Sequence, residues 1–448
     1  AVLTCCLMSA YRGYYQGMQN MYPTSISQII EAVTKMIFGL GFSGGVMYLT
    51  QREYSLHATV LGRSYPSPEQ AQAVIAQLAS GAAVLGVSLS TAAGLVYLML
   101  RWRKKGDGVS QQQLMHAPKP QDSSTLLKRI LVIAIPVCLG SLAVNLSGII
   151  DLLTVTGRLS HVMDTAPQQL LACYGQNIPQ AELVNGTVHN YLYGAYSGKA
   201  VVIANLVPAL TTGMAVSALP AVAESFARGN RLRTQKSIQM VLRITALFCV
   251  PAGLGISALS QEVCSLFFGM NNEVMIGAPL LRVLGLASIF IALTGTTNSL
   301  LQAVGRVSLP VKLILIGSAI KLAMNYLLVG IPQLNIQAAP WSTLVCYVVI
   351  TLLSLIALRS TVGPLGAFGV FGKPLLAGLL CAAFARLTQN MLMQVTASRF
   401  VVLLSAAVGA AVYLVGLLLL RALKKEDIMM LPKGEKMAKI LEKYSLLG

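Results

Sequence analysis

The sequence predicts an all-α protein that crosses a membrane many times, and three observations lead there. Apolar runs of about twenty residues recur along the whole chain, and a helix of that length matches the thickness of a bilayer core. The 448 residues are 55% hydrophobic and only 11% charged, with a mean hydropathy of +0.69, the composition of a multi-span membrane protein. Lys and Arg fall in alternate connections between the runs, as they do where charge sets membrane orientation.

Eleven spans are expected, near residues 1–17, 24–50, 70–100, 128–156, 193–226, 237–262, 278–304, 309–330, 337–358, 374–395 and 400–420. Polar and turn-forming residues separate them: Tyr65-Pro66-Ser67-Pro68, Gly106-Asp107-Gly108, Gly229-Asn230, Asn271-Asn272 and Gly363-Pro364. The clearest run, Phe400 to Leu420, carries no charge and ends at Arg421, Lys424 and Lys425. One set of connections holds Arg101, Arg103, Lys104, Lys105, Lys119, Lys128, Arg228, Arg231, Arg233, Lys236, Arg306, Arg359, Lys373 and the basic C-terminal tail. The other holds Arg52, Arg63, Arg158, Arg386 and Arg399. The richer side is expected to be cytoplasmic, which puts the C-terminus inside and Ala1 outside. The chain begins at Ala1 within an apolar run and shows no signal peptide, so it reads as a fragment with spans missing upstream.

Two segments do not read as spans. Residues 159–192, with His161, Asp164, Cys173, Glu182 and His189, are expected to form a solvated outer loop, because their spacing fits no metal-ligand set. Residues 433–446 place Met437, Ile440, Leu441 and Tyr444 on one helical stripe beside Lys436, Lys439 and Lys443, an amphipathic helix suited to an anionic membrane surface. The chain therefore divides into 1–105, a linker at 106–127, a second group of spans at 128–360, two further spans at 361–423 and a basic tail at 424–448.

The net charge of +18 does not indicate nucleic acid, because the basic residues sit in short connections rather than in a basic domain. The eight cysteines form no CxxC pair, and most lie in apolar runs where a thiol acts as a small hydrophobe. GxxxxGK[ST], GxSxG and HExxH are all absent, so no ATPase, hydrolase or metalloprotease chemistry is encoded by those motifs. No enzyme activity, metal or cofactor is expected.

Function is then to be sought in polar groups at bilayer depth, where a charge costs roughly 2.5 kcal/mol or more unless it is paired or wet. Glu31 and Lys35 lie i, i+4 on one helix and are placed to pair. Asp151 and Arg158 lie two turns apart on one face. Lys199 has no acid within two turns of its own helix, which also carries Asn205 and Pro208. Arg243, Arg282 and Lys321 lie in other spans. Asn145, Asn298 and Asn325 suit either sugar binding or interhelical hydrogen bonds. Cations outnumber acids in the spans, so a cavity lined by them would favour an anion such as a diphosphate. A weak internal echo links two halves. Gln16, Pro23 and Lys35 follow one another much as Gln302, Pro310 and Lys321 do, and repeated halves are common in transporters.

Three stretches resemble one family. The first is Arg12-Gly13-Tyr14-Tyr15-Gln16-Gly17 with Met21-Tyr22-Pro23-Thr24 and Ser27-Gln28-Ile29-Ile30-Glu31. The second is Tyr193-Gly194-Ala195-Tyr196-Ser197-Gly198 with Asn205-Leu206-Val207-Pro208 and Ala218-Leu219-Pro220-Ala221-Val222-Ala223-Glu224. The third is Glu426-Asp427-Ile428 with Leu431-Pro432-Lys433-Gly434. They resemble the stage V sporulation protein B group of the multidrug/oligosaccharidyl-lipid/polysaccharide flippase superfamily, related to MurJ-type lipid II flippases. The resemblance implies fourteen spans in two six-helix lobes plus two extra helices, of which this chain would hold about eleven. It implies a bilayer protein that moves a polyprenyl-diphosphate-linked glycan by alternating access, with cell-wall synthesis enzymes as further partners. Arg12, Gln16, Glu31, Lys35, Asn145, Asp151, Lys199, Asn205, Lys321 and Asn325 are the candidate cavity residues. A cation-coupled drug exporter of the same superfamily and a non-transporting scaffold for envelope enzymes are the alternatives.

Overall fold

The computed structural model describes residues 2–18, 20–65, 68–106, 122–184, 186–366, 368–395, 398, 400–420 and 422. The expected amphipathic tail and residues 107–121 of the expected linker lie outside the described residues. Contacts divide the chain into two compact units, residues 1–121 and 122–448. Among the described residues, eight helices are long and apolar enough to cross a membrane.

The first unit contains α1 (Val2–Gly17), α2 (Tyr22–His57) and α3 (Pro68–Lys105). Pro23 sits in the first turn of α2, where its missing N–H leaves no helical bond unmade. A two-residue hairpin, β1 (Thr59–Val60) and β2 (Arg63–Ser64), follows α2. Its turn residues Leu61 and Gly62 have φ of 51° and 76°, the left-handed pair that matches the twist of tight hairpins. Glu53 holds the turn by accepting the backbone N–H groups of Leu61 at 3.1 Å and Gly62 at 3.0 Å. Helices α2 and α3 touch backbone to backbone, since a Cβ on Gly86 would lie 2.6 Å from the Gly39 nitrogen.

The second unit opens with α4 (Ser123–Thr165), a single helix of 43 residues. Asp122 caps it by accepting the N–H groups of Ser124 and Thr125. Short helices α5 (Pro167–Tyr174), α6 (Gln180–Val184) and α7 (Val188–Gly194) follow. A π-helical turn over Ala195–Ala200 leads into α8 (Val201–Ala204) and α9 (Leu206–Ala227). Then come α10 (Arg231–Ala258), α11 (Ser260–Phe268), α12 (Asn272–Ala303), α13 (Leu309–Leu328), α14 (Ala338–Val362), α15 (Lys373–Val395) and α16 (Val401–Leu419). Helix α12 is the hub. It packs against α9, α10, α11 and α14 and buries residues on every side, among them Leu280, Leu281, Leu284, Ala287 and Leu300.

Three expected spans take a different form. Residues 1–17 give a helix of only 16 residues. The span at 128–156 is part of the longer α4, and the span at 193–226 is interrupted by the π turn and again at Asn205. Residues 159–192 are not a solvated loop. They are mostly helical, and Leu159, Val162, Leu170, Val188 and Leu192 belong to the largest core cluster. Their apolar residues recur at helical spacing, and burying them outweighs the polar residues between. Tyr174 anchors this segment by donating its hydroxyl to Asn335 Oδ1 at 2.7 Å.

Candidate functional site

Among the described residues the candidate polar groups gather chiefly in two places, one in each unit. In the first unit Arg12 on α1 donates from Nε to Ser27 Oγ at 2.8 Å and from Nη2 to Glu31 Oε2 at 2.9 Å, both on α2. The Ser27 hydroxyl in turn donates to the Thr24 carbonyl oxygen at 2.7 Å. Glu31 therefore pairs with Arg12 across two helices and not with Lys35, whose side chain is exposed. A carboxylate so held by a guanidinium has no call on a flexible lysine one turn away. Arg12 and Glu31 keep side-chain exposures of 15% and 26%, so the pair is reachable. Gln16 is exposed one turn along α1. Around the same end Tyr11, Tyr14 and Tyr15 pack edge-on against Trp102, and Arg101 lies over the rings of Tyr15 and Tyr22.

In the second unit α4, α13, α14 and the π turn bring together a closed network. Lys321 on α13 donates to Asp151 Oδ2 on α4 at 2.6 Å and to Ser147 Oγ at 3.3 Å. Asn325, one turn further along α13, donates to Asp151 Oδ1 at 2.9 Å and to Thr154 Oγ1 at 3.2 Å. It also accepts a hydrogen bond from Ser342 on α14. The hydroxyl of Tyr196, in the π turn, donates to Asp151 Oδ2 at 3.4 Å and lies at the same distance from Thr343. Lys321 is 3% exposed and Asp151 8%. Each ion meets the other and the remaining lone pairs meet neutral donors, the condition under which a buried pair is tolerated. Arg158 lies over the Tyr326 ring at 4.5 Å, so Asp151 and Arg158 both face α13, as their spacing requires.

Lys199 is not unpaired. Its ammonium pairs with Glu273, donates to Asn271 Oδ1 at 3.1 Å and lies 5.5 Å from the Phe268 ring centroid. Asn271 caps α12 and Glu273 lies in its first turn, so Lys199 reaches the end of a helix and not the middle of one. The π turn brings it there, and Gly277 lets that turn approach α12, since a Cβ on Gly277 would lie 3.3 Å from the Ala195 carbonyl oxygen. The expected cationic excess is answered in part: of its members Lys199 and Lys321 each meet an acid, as Arg12 does in the first unit. Lys35, Arg282, Asn145 and Asn205 are exposed. Arg243 is buried at 4% exposure. The echo of Lys35 and Lys321 is not matched in environment, although Pro23 and Pro310 both open their helices.

Sequence reasoning missed Ser27, Ser147, Tyr196, Glu273 and Ser342. It sought partners for each charge within its own helix, whereas all three pairs join different helices. Two opposite charges in separate spans are themselves a signal, because bilayer depth forces such groups together.

The fold and these sites define a multi-pass α-helical membrane protein whose spans hold charges paired across helices. The chain belongs to the lipid II flippase MurJ family, whose model matches residues 181–419. It is 24% identical to the lipid II flippase MurJ of Bacillus subtilis (strain 168) over 92% of this chain and 70% of that protein. It is 22% identical to an uncharacterized membrane protein, YabM, of the same organism over 100% of this chain and 75% of the relative. Identity to stage V sporulation protein B of that organism is also 22%, over 95% of this chain and 72% of the relative.

Proposed function

We propose that this protein flips a lipid-linked oligosaccharide, lipid II or a related polyprenyl-diphosphate sugar, across the bacterial cytoplasmic membrane. The family match over residues 181–419 carries this reading, and relatives named as a lipid II flippase and a stage V sporulation protein support it. A sugar diphosphate cannot cross a bilayer unaided, because stripping water from charged groups is expensive. With the inside negative, outward movement of an anion is downhill by roughly 2.3 kcal/mol per charge per 100 mV.

The two polar places take different roles. Arg12 uses two of its guanidinium N–H groups on Ser27 and Glu31; a guanidinium has five, so three remain for a phosphate. With exposed Gln16 and Lys35 it forms the head-group site of residues 1–105. Lys199, Asn145 and Asn205 supply polar contacts from residues 128–360. Asp151, Lys321 and Asn325 face one another, and they act as a fastening between α4 and α13 that parts and re-forms as the substrate moves. Residues 361–423 add two further spans. The basic connections and tail lie on the cytoplasmic side, the C-terminus with them, where cell-wall synthesis enzymes can dock.

The test is to express the full-length protein in bacteria depleted of their own lipid II flippases and to measure lipid II on the outer face. Restored exposure and growth are expected. Lipid II retained inside despite good expression would overturn lipid II as the substrate.

A further inference from the structure

A cavity of about 190 Å³ lies inside the second unit where α4, α9, α12, α13 and α14 meet. Its wall includes Ser147, Thr294, Asn298, Ser318, Cys346 and Tyr347. Two of its polar atoms, Asn298 Oδ1 and Ser318 Oγ, are buried without a hydrogen-bond partner among the described residues. Ser318 is 3% exposed, so bulk solvent does not satisfy it. Ser147 also accepts from Lys321 at 3.3 Å, so the cavity wall and the Lys321–Asp151 pair share a residue.

Buried polar atoms are almost always satisfied by protein or by ordered water. An unmet amide oxygen and an unmet hydroxyl on one wall mark a polar space, whereas a dry cavity is lined by apolar groups alone. The volume suits several waters, each claiming about 30 Å³ in the liquid, and a bound water needs two to four polar partners. Asn298, Ser318, Ser147 and Thr294 supply them. A free monovalent cation is disfavoured by the Lys321 ammonium on the far side of Ser147.

We propose that this cavity is a hydrated pocket that binds water and small polar solutes and carries them to the buried Lys321–Asp151 pair through Ser147. The pair is then sealed from lipid but not from water. It can part and re-form against water molecules when α4 and α13 shift, where a dry pair would hold the helices rigidly. Lys321 faces Asp151 from α4, and the Tyr196 hydroxyl also bonds to Asp151. This inference does not depend on what the protein transports.

Cys346 is a native reporter, because it lines the cavity and is 1% exposed. Cys249 is its control, 0% exposed within a wholly apolar cluster of the same unit. Thiol modification needs thiolate and access, and a dry buried thiol is inert. Single-cysteine versions of the full chain in liposomes are treated with a small water-soluble methanethiosulfonate. Cys346 is expected to react at least about tenfold faster than Cys249. Filling the pocket by Ser318→Leu, or by Asn298→Leu where that variant does not fold, is expected to slow Cys346 to the Cys249 rate. A Ser147→Cys variant without other cysteines is expected to react as Cys346 does. Equal rates for Cys346 and Cys249, or no effect of filling, would overturn the hydrated pocket. An inert Ser147→Cys variant beside a reactive Cys346 would overturn the route to the ion pair.

Discussion

The two units treat a membrane-embedded charge in opposite ways. In the first unit Arg12 and Glu31 are paired but partly open, and the apolar stretch of α2 that would span the membrane buries none of its residues within the protein. In the second unit Lys321 and Asp151 are enclosed by helices, and the hub α12 buries 61% of its apolar stretch. Lipid tails satisfy an apolar face as well as another helix does, so helix association in a bilayer is driven by close packing and hydrogen bonds rather than by the hydrophobic effect. What separates the pairs is the number of helices around them. Three helices leave a guanidinium with spare donors, while the many-helix bundle surrounds both members of the Lys321–Asp151 pair with further partners. The open pair suits ligand binding and the closed pair suits fastening.

The largest expected effect comes from the closed pair. Asp151→Ala leaves the Lys321 ammonium buried without its counter-ion, and it should destabilise the protein by about 3–5 kcal/mol. The double variant Asp151→Leu with Lys321→Met should recover most of that loss, because removing both charges also removes their burial cost. Unfolding in detergent micelles measures both. A mild single variant, or a double variant as unstable as the single, would break the contrast between the units.

Close helix crossings sharpen the comparison, because they occur in both units. A Cβ on Gly86 would lie 2.6 Å from the Gly39 nitrogen, and one on Gly285 would lie 2.7 Å from the Ser257 nitrogen. Backbone cannot step aside as a side chain does, so Gly86→Ala and Gly285→Ala should each cost about 1–3 kcal/mol. Similar losses are expected despite the difference in burial between the units. A neutral Gly86→Ala would mean that the first unit is held less closely than its geometry indicates.

Tyr174 provides a smaller effect with a defined pH window. Burial pushes its phenol from 10.0 up to about 12. The unfolded chain ionises first, so the stability from this group is complete below pH 10 and is lost as pH rises through about 12. Tyr174→Phe should remove that alkaline loss. It should cost about 1 kcal/mol at neutral pH by leaving the Asn335 amide oxygen short of a donor. The smallest stability effect belongs to the open pair. Arg12→Ala should change stability by about 0–1 kcal/mol, yet it should cripple flipping without loss of expression. Wild-type transport in that variant would remove Arg12 from the head-group site.

The membrane class was legible in the sequence because apolar run length maps directly onto bilayer thickness. Helix starts at Pro23 and Pro310 were legible for a similarly local reason. The segment 159–192 was misread because its charged residues drew attention from Leu159, Val162 and Leu170, which two successive helices bury in one core cluster. The pairs were illegible because they are non-local. Lys321 finds Asp151 across 170 residues, and Lys199 finds Asn271 across 72. Chain spacing carries no information about such neighbours. Nor did it reveal the π turn, whose extra residue per turn sets the direction in which Lys199 leaves the helix.

The most direct measurement places the purified full-length protein in liposomes with a fluorescent lipid II analogue and follows its exposure to a membrane-impermeant quencher. The analogue is expected to cross far faster than in protein-free vesicles, faster still with the inside negative, and slowly with Arg12→Ala. Crossing at the protein-free rate under both conditions would contradict the account.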